Sequence, residues 1–340
     1  MLQNVRAKGN LDKYEMRGSR YGAFDLFKKQ TDEPTSIITQ KMKDEFWGSI
    51  GRTFQVPVVD YDGNVTISSG VARSITVADS ENTTQLVTIT PTTLSFGFTM
   101  VPTLYHNNEI DYSLDFYKKM TKYLNALGAT LDTMCITALN TNRTLVCGNN
   151  LGYTFAAGTE VLTGTAADRG HMVGSLEAVM ASNDFYGKLH VVGETGLQDL
   201  INVLKQSGIY NAVNKQLEYN GMELHFTNRI QATPSYCKGY AVNEGSVGLL
   251  FRVDREALAH TVSRTGYEWD TTVLPMLDIP CGTMYYESDG NYSAIAGAAS
   301  ADMTASHKQH FGFSVDVAVV CAYNSASATN ASPILAFECA

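Results

Sequence analysis

SLDFYKKMTKYLNALGATLDTMCITALNTN, residues 113–142, is the stretch whose reading decides the fold. Leu114, Tyr117, Met120, Leu124, Leu127, Leu131, Met134 and Ala138 recur at three- and four-residue spacing, which winds into one apolar stripe. Ser113 offers a capping oxygen, Asp115 complements the positive end of a helix dipole, and Asn140 to Asn142 offer a stop. The spacing predicts a helix over about 113–140, a rod of roughly 42 Å at 1.5 Å per residue. That is more than twice the common helix length. Gly128 lies on it, marking either a close approach by another backbone or a simple weak point.

Toward the N-terminus the period changes from helical to alternating. Val56, Val58, Val65, Ile67, Ile75, Val77, Leu86, Val87, Ile89, Leu94, Phe96 and Phe98 sit among small polar residues, with Asp62-Gly63-Asn64 as a turn signal. From Val56 to Tyr105 only five residues are charged (Asp60, Asp62, Arg73, Asp79 and Glu81), against ten threonines. Strand edges with so little charge recruit other chains, so the excursion either packs on its own body or is covered by neighbours. A hairpin with arms of about 25 residues reaches as far as ~80 Å at roughly 3.3 Å per residue.

Before the ribbon, Asp32 and Pro34 fit the first turn of a short helix with Ile38, Met42, Phe46 and Ile50 on its face, closed by Gly48 and Gly51. The first 30 residues carry Arg6, Lys8, Lys13, Arg17, Arg20, Lys28 and Lys29 against Asp12, Glu15 and Asp25, so a basic arm precedes an acidic body. Such an arm suits weak, sequence-blind nucleic-acid contact, the acidic face of a sister subunit, or plain solvation. Tyr14, Tyr21, Phe24 and Phe27 are placed to anchor an extended segment on a partner.

Beyond the long helix the pattern is mixed. A helix is predicted over 168–182 through Met172, Val173, Leu176 and Met180, a strand over 189–192, and a second helix over 195–206 ended by Gly208. Asn220-Gly221 between two short apolar runs is a hairpin signal. Strands follow at 239–242, 247–253, 283–287, 311–323 and 333–337.

The whole chain has 340 residues, 44% hydrophobic and 17% charged, with net charge −9. That is enough apolar material for a sizeable core and too little charge for a disordered tail. The acidic balance argues against broad nucleic-acid binding, which draws on many neutralised phosphates. Cys135, Cys147, Cys237, Cys281, Cys321 and Cys339 show no CxxC spacing, no apolar run is long enough to span a membrane, and Met1 leads into charged residues rather than a signal peptide. Reduced, mostly buried thiols in a cytoplasmic product are expected, with the Asn-x-Ser/Thr triplets at Asn64, Asn82, Asn142, Asn291 and Asn330 as chance matches.

Chemistry has few candidates. His307 and His310 stand three apart without the glutamate of a metalloprotease helix, and read as two exposed histidines. Gly193-Glu194-Thr195-Gly196 follows a strand as a dinucleotide loop does, but one fingerprint glycine is missing and Glu194 would repel a phosphate. No active site, metal site or cofactor is expected, and the chain is not read as an enzyme.

The order of parts (basic arm, short helix, low-charge β excursion, long helix, α/β segment, closing strands) resembles the Hong Kong 97-type major capsid proteins of tailed bacteriophages. Local wording agrees: Leu217 to Ile230, Gly239 to Gly248 and Leu189 to Gly193 are similar to successive strands and turns of that family. The resemblance implies an α+β chain with an N-arm (1–33), a β-hairpin E-loop (55–105), a P-domain (34–54, 106–150 and 260–340) containing the spine helix, and an A-domain (151–259). It implies a structural protein of the virion, assembled in the host cytoplasm, whose hexamers and pentamers close an icosahedral shell around double-stranded DNA. Scaffold, portal and cement proteins are candidate partners, and no membrane is involved. Arg6, Arg17, Arg20, Asp62, Gly63, Asn64 and Arg73 are the expected assembly contacts. No scaffolding segment precedes the arm, so it was either removed or is a separate protein, and no cross-linking Lys–Asn pair is carried over. An encapsulin-type shell, a phage tail structural protein and, further off, a metal- or nucleotide-dependent enzyme remain as alternatives.

Overall fold

The computed structural model describes residues 21–49, 53–60, 83–102, 109–143, 149–156, 160–197, 209–211, 216–219, 221–230, 237–253, 267–290, 306–322 and 332–339. In chain order these form α1 (Gly22–Thr31), α2 (Gln40–Gly48), β1 (Phe54–Asp60), β2 (Thr83–Ile89), β3 (Thr92–Met100) and the long α3 (Glu109–Thr141). Next come β4 (Thr154–Ala156), β5 (Val161–Gly164), α4 (Arg169–Ser182), β6 (Leu189–Gly193), β7 (Ile209–Asn211), β8 (Gln216–Tyr219) and β9 (Met222–Phe226). The rest is strand: β10 (Cys237–Asn243), β11 (Val247–Arg252), β12 (Tyr267–Val273), β13 (Pro280–Gly290), β14 (Ser306–Cys321) and β15 (Ile334–Cys339).

The periodic stripe does make a helix, of 33 residues. It begins at Glu109, four residues before the expected cap, so Ser113 lies inside it. The buried seam is Phe116, Tyr117, Met120, Leu124, Leu127, Leu131, Cys135 and Leu139. Leu114 is 41% exposed, while Met134 and Ala138 are half-buried. The predicted stripe was therefore right in its middle and off by one or two residues at each end. The seam meets an aromatic layer from β3 and β14: Phe98 packs edge-on to Phe116 at 5.3 Å, and Phe96 stacks on Tyr123 at 5.6 Å and on Phe313 at 4.8 Å. Each buried ring contributes roughly 1.5–3 kcal/mol, with about 0.5–1.5 more for a well-placed aromatic pair.

β14 is the spine of a five-stranded sheet. Its first half pairs with β13 and its last third with β11, while β3 runs along the opposite edge; β12 flanks β13. The second sheet has eight strands in the order β4-β5-β15-β10-β6-β9-β8-β7, with α4 packed on it through Met172, Val173, Leu176 and Val179. The expected hairpin is present as β8 and β9, with Gly221 at φ +78°. The helix expected over 195–206 begins at Thr195; residues 198–208 lie outside the described set.

Three expected boundaries do not follow these sheets. β3 was placed in the E-loop, yet it is bonded to β14 throughout and its alternate residues are core. β11 was placed with the A-domain strands, yet it joins the five-stranded sheet, and β15 joins β10 and β5 in the eight-stranded one. The chain changes sheets between β10 and β11 at Gly245, whose φ of +77° and approach to the Thr35 carbonyl leave no room for a side chain. Alternation at period two shows that a segment is a strand; it carries no mark of which sheet receives it.

The N-terminal segment also differs from an extended arm where it is described. Residues 22–31 are helical, and Phe24, Leu26 and Phe27 are buried in this chain's own core. No side chain of α1 caps its start; the buried Asp132 of α3 does so instead, accepting from Ala23 N–H at 2.9 Å and Phe24 N–H at 3.1 Å. At the other end Gln30 and Thr31 accept the backbone N–H groups of Val247 and Leu249. Asp32 ends α1 rather than starting the next helix. Thr39 caps α2 through Met42 N–H, because Pro34 and Ser36 keep the intervening chain in turns.

Candidate functional site

Two places stand out, one exposed and one buried. The exposed one is the two-stranded sheet of β1 and β2, in register from Phe54–Ile89 to Asp60–Thr83. Strand period two puts Phe54, Val56, Val87 and Ile89 on one face, half-buried, and Gln55, Pro57, Leu86 and Thr88 on the other, exposed. Phe54 and Ile89 touch the small cluster of Ile38, Phe46, Leu250 and Val320 at the root of the ribbon. Leu86 is 63% exposed opposite Pro57. Among the described residues neither strand pairs with a third, so both outer edges carry unpaired backbone groups.

The root is braced by charge. Arg252 donates from Nε to Asp316 at 2.9 Å and from Nη1 to the Ser49 carbonyl at 2.9 Å, and its guanidinium lies over the Phe46 ring at 5.2 Å. Thr93 donates to the other Asp316 oxygen at 2.6 Å. The start of the ribbon is thereby tied to the five-stranded sheet.

The expected assembly contacts Arg6, Arg17, Arg20, Asp62, Gly63, Asn64 and Arg73 all lie outside the described residues. Of the chemical candidates, His307 and His310 fall on β14, where a separation of three puts them on opposite faces. His310 Nε2 lies 2.8 Å from Ser288 Oγ and its Nδ1 3.0 Å from Thr99 Oγ1, with the ring stacked on Tyr286 at 4.3 Å. His307 instead faces Glu287 at 3.3 Å. Both are intermediate in exposure, where two exposed histidines were expected. At Gly193, a Cβ would sit 2.0 Å from Leu197, so Leu197 packs directly against the turn and the glycine is required there.

The buried place was not anticipated. His190 on β6 and Glu223 on the parallel neighbour β9 are register partners, and His225 lies two residues on, on the same face. Lys29 of α1 bonds both Glu223 oxygens, at 2.5 and 2.7 Å, and Lys188 bonds Oε2 at 3.0 Å. His190 Nδ1 stands 3.8 Å and His225 Nε2 3.5 Å from the same carboxylate. Burial would push the Glu223 carboxyl up, but the two ammonium groups hold it down to about 2. Burial holds both imidazoles down to about 4, against the pull of Glu223. Both ring nitrogens of His190, Nε2 of His225 and Oε2 of Glu33 are buried without a hydrogen-bond partner. Each such atom costs about 1–3 kcal/mol. No sequence signal brought Lys29, His190 and Glu223 together, since the first comes from α1 and the others from strands of one sheet.

No protein-family model and no curated protein matches this sequence. Among solved structures, a chain of the Cyanophage Pam1 capsid asymmetric unit superposes with a TM-score of 0.50 at 11% identity, covering 94% of this chain and 93% of that one. The bacteriophage PhiM1 mature capsid asymmetric unit gives 0.45 at 11% identity, over 85% and 82%. The Cyanophage P-SCSP1u capsid gives 0.42 at 13% identity, over 85% and 84%. The first of these shows a shared mixed helix-and-sheet fold along nearly the whole chain. The class is thus a fold found in a phage capsid.

Proposed function

We propose that this chain is the major capsid protein of a tailed phage, and that copies of it close an icosahedral shell around double-stranded DNA. The observation that carries the reading is the β1–β2 ribbon, which leaves Leu86, one polar-apolar face and two strand edges unsheltered on a fold shared with a capsid chain. A ribbon of that kind is a hazard on a lone molecule and an asset in an array, where each copy covers its neighbour's. The role is structural.

In Hong Kong 97 terms, β1 and β2 with residues 61–82 between them form the E-loop, α3 the spine helix, the five-stranded sheet the P-domain and the eight-stranded sheet the A-domain. The basic residues before Tyr21, including Arg6, Arg17 and Arg20, form the N-arm under a neighbouring copy and supply weak DNA contact. Asp62, Gly63, Asn64 and Arg73, which fall between β1 and β2 in sequence, supply contacts to another copy. Many modest contacts repeated around five- and six-fold axes raise avidity steeply. Scaffold, portal and cement proteins complete the partner set, with assembly in the host cytoplasm. The test is to express the chain alone and with a scaffold protein and image the product by electron microscopy. Closed particles support the reading; small soluble species under both conditions contradict it.

A further inference from the structure

We propose that His190, Glu223 and His225 form a binding site for a divalent transition-metal ion, of which zinc fits the donor set best. Their ligand atoms all lie within 4.8 Å of one another, on adjacent parallel strands whose pairing fixes the three side chains on one face. Two imidazoles and one carboxylate are the donors that borderline metals such as zinc select.

Two features separate this group from an ordinary buried ion pair. First, the pair of Glu223 with Lys29 and Lys188 leaves the imidazoles unsatisfied: His190 is fully buried with neither ring nitrogen bonded, and His225 Nε2, on a side chain 10% exposed, has no partner either. Both unsatisfied rings border the one carboxylate. A metal ion at the Nδ1 of His190 and the Nε2 of His225 answers both at once. Second, Glu33 Oε1 lies 3.9 Å from Nε2 of His190, the nitrogen turned away from Glu223, and its Oε2 is itself buried and unbonded. A carboxylate behind a metal-bound imidazole is the usual arrangement for fixing the ring and raising its basicity.

The two lysines are the competitors. Their ammonium groups hold the Glu223 oxygens now, and their side chains are 35% and 39% exposed, so either can swing to solvent when a dication arrives. Three carboxylates (Glu33, Glu223 and Glu244) act on this group against two ammonium ions, which leaves room for added positive charge. A water molecule completes four-coordination. Bound metal joins β6 to β9 beneath α1, and binding to the folded state alone raises thermal stability with metal concentration.

The full-length chain, dialysed against chelator, is titrated with zinc sulfate and its metal content measured by mass spectrometry, with thermal unfolding and the visible spectrum of a cobalt(II) sample in parallel. The expected result is one zinc per chain, a rise in Tm with zinc, and a cobalt spectrum of nitrogen–oxygen rather than thiolate ligation. Lys188→Met, which removes a competitor at a part-exposed position, tightens zinc binding at least severalfold. His225→Gln weakens it at least tenfold, and His190→Gln with His225→Gln abolishes the stoichiometric site. The proposal is overturned if the folded wild-type chain retains no zinc, if the double variant retains as much as wild type, or if Lys188→Met binds no more tightly.

Discussion

Asp132, in the last third of α3 and fully buried, accepts the Ala23 N–H at 2.9 Å and so caps a helix 109 residues earlier in the chain. Its other oxygen takes the Thr227 hydroxyl at 2.5 Å and Arg229 Nη1 at 3.3 Å. One carboxylate thus joins α1, α3 and the end of β9. Asp132→Ala takes their acceptor from two amides and the Thr227 hydroxyl and should lower stability by roughly 3–5 kcal/mol. Asp132→Asn keeps one acceptor and should cost less. Urea unfolding of the soluble subunit checks both; equal stability of Asp132→Ala and wild type would refute the capping role.

Gly128 is held by the ring that faces it. A Cβ there would lie 2.6 Å from Tyr21, whose hydroxyl donates to the Asn125 carbonyl at 3.1 Å. A glycine-to-alanine change inside a helix normally gains about 1 kcal/mol, but forced overpacking costs about 1–3. Gly128→Ala should therefore destabilise the wild-type chain and stabilise a Tyr21→Ala chain. A double-mutant cycle by thermal or urea unfolding reads the change of sign.

Acid should weaken the chelator-treated chain in two steps. His190 and His225 ordinarily titrate near 6.5 and are held at about 4 when folded, so the unfolded chain takes protons first and stability falls as pH drops from about 6.5 to about 4. Glu223, held at about 2 against 4.5, adds a second loss between about 4.5 and 2. Each histidine contributes up to roughly 3 kcal/mol. Urea midpoints from pH 7.5 to 4 should be steep for the wild type and flatter with glutamine at both histidines.

Leu86 is exposed enough that replacing it should not disturb folding. Leu86→Asp is expected to change stability by less than about 0.5 kcal/mol while placing a charge on the face proposed to meet a neighbouring copy. Sedimentation should then show folded subunits that no longer form large particles. Unchanged particle yield would remove the ribbon from the interface.

The sequence exposed what is local. Eight apolar residues at helical spacing located α3, and the Asn-Gly turn located β8 and β9, because each pattern is complete within its own segment. The seam of α3 was misjudged at its ends because β3 and β14 decide which side faces them; Cys135 and Leu139 are buried where Met134 and Ala138 were expected. The same reason explains β11 and β15, whose alternation names no partner sheet. Tyr21, Phe24 and Phe27 looked like anchors for another chain because nothing nearby in sequence reveals Asp132 as the cap of their helix. The Glu223 group was invisible for the reason that Lys29 lies 194 residues from it.

The account is tested most directly by an electron cryomicroscopy map of the particles formed by the expressed chain, with its scaffold if one is needed. It predicts closed shells in which the ribbon of each copy, from Phe54 to Ile89, lies against a neighbouring copy and Leu86 is covered. Particles in which that ribbon stands bare in solvent, or a chain that stays as small soluble species under every condition, would contradict it.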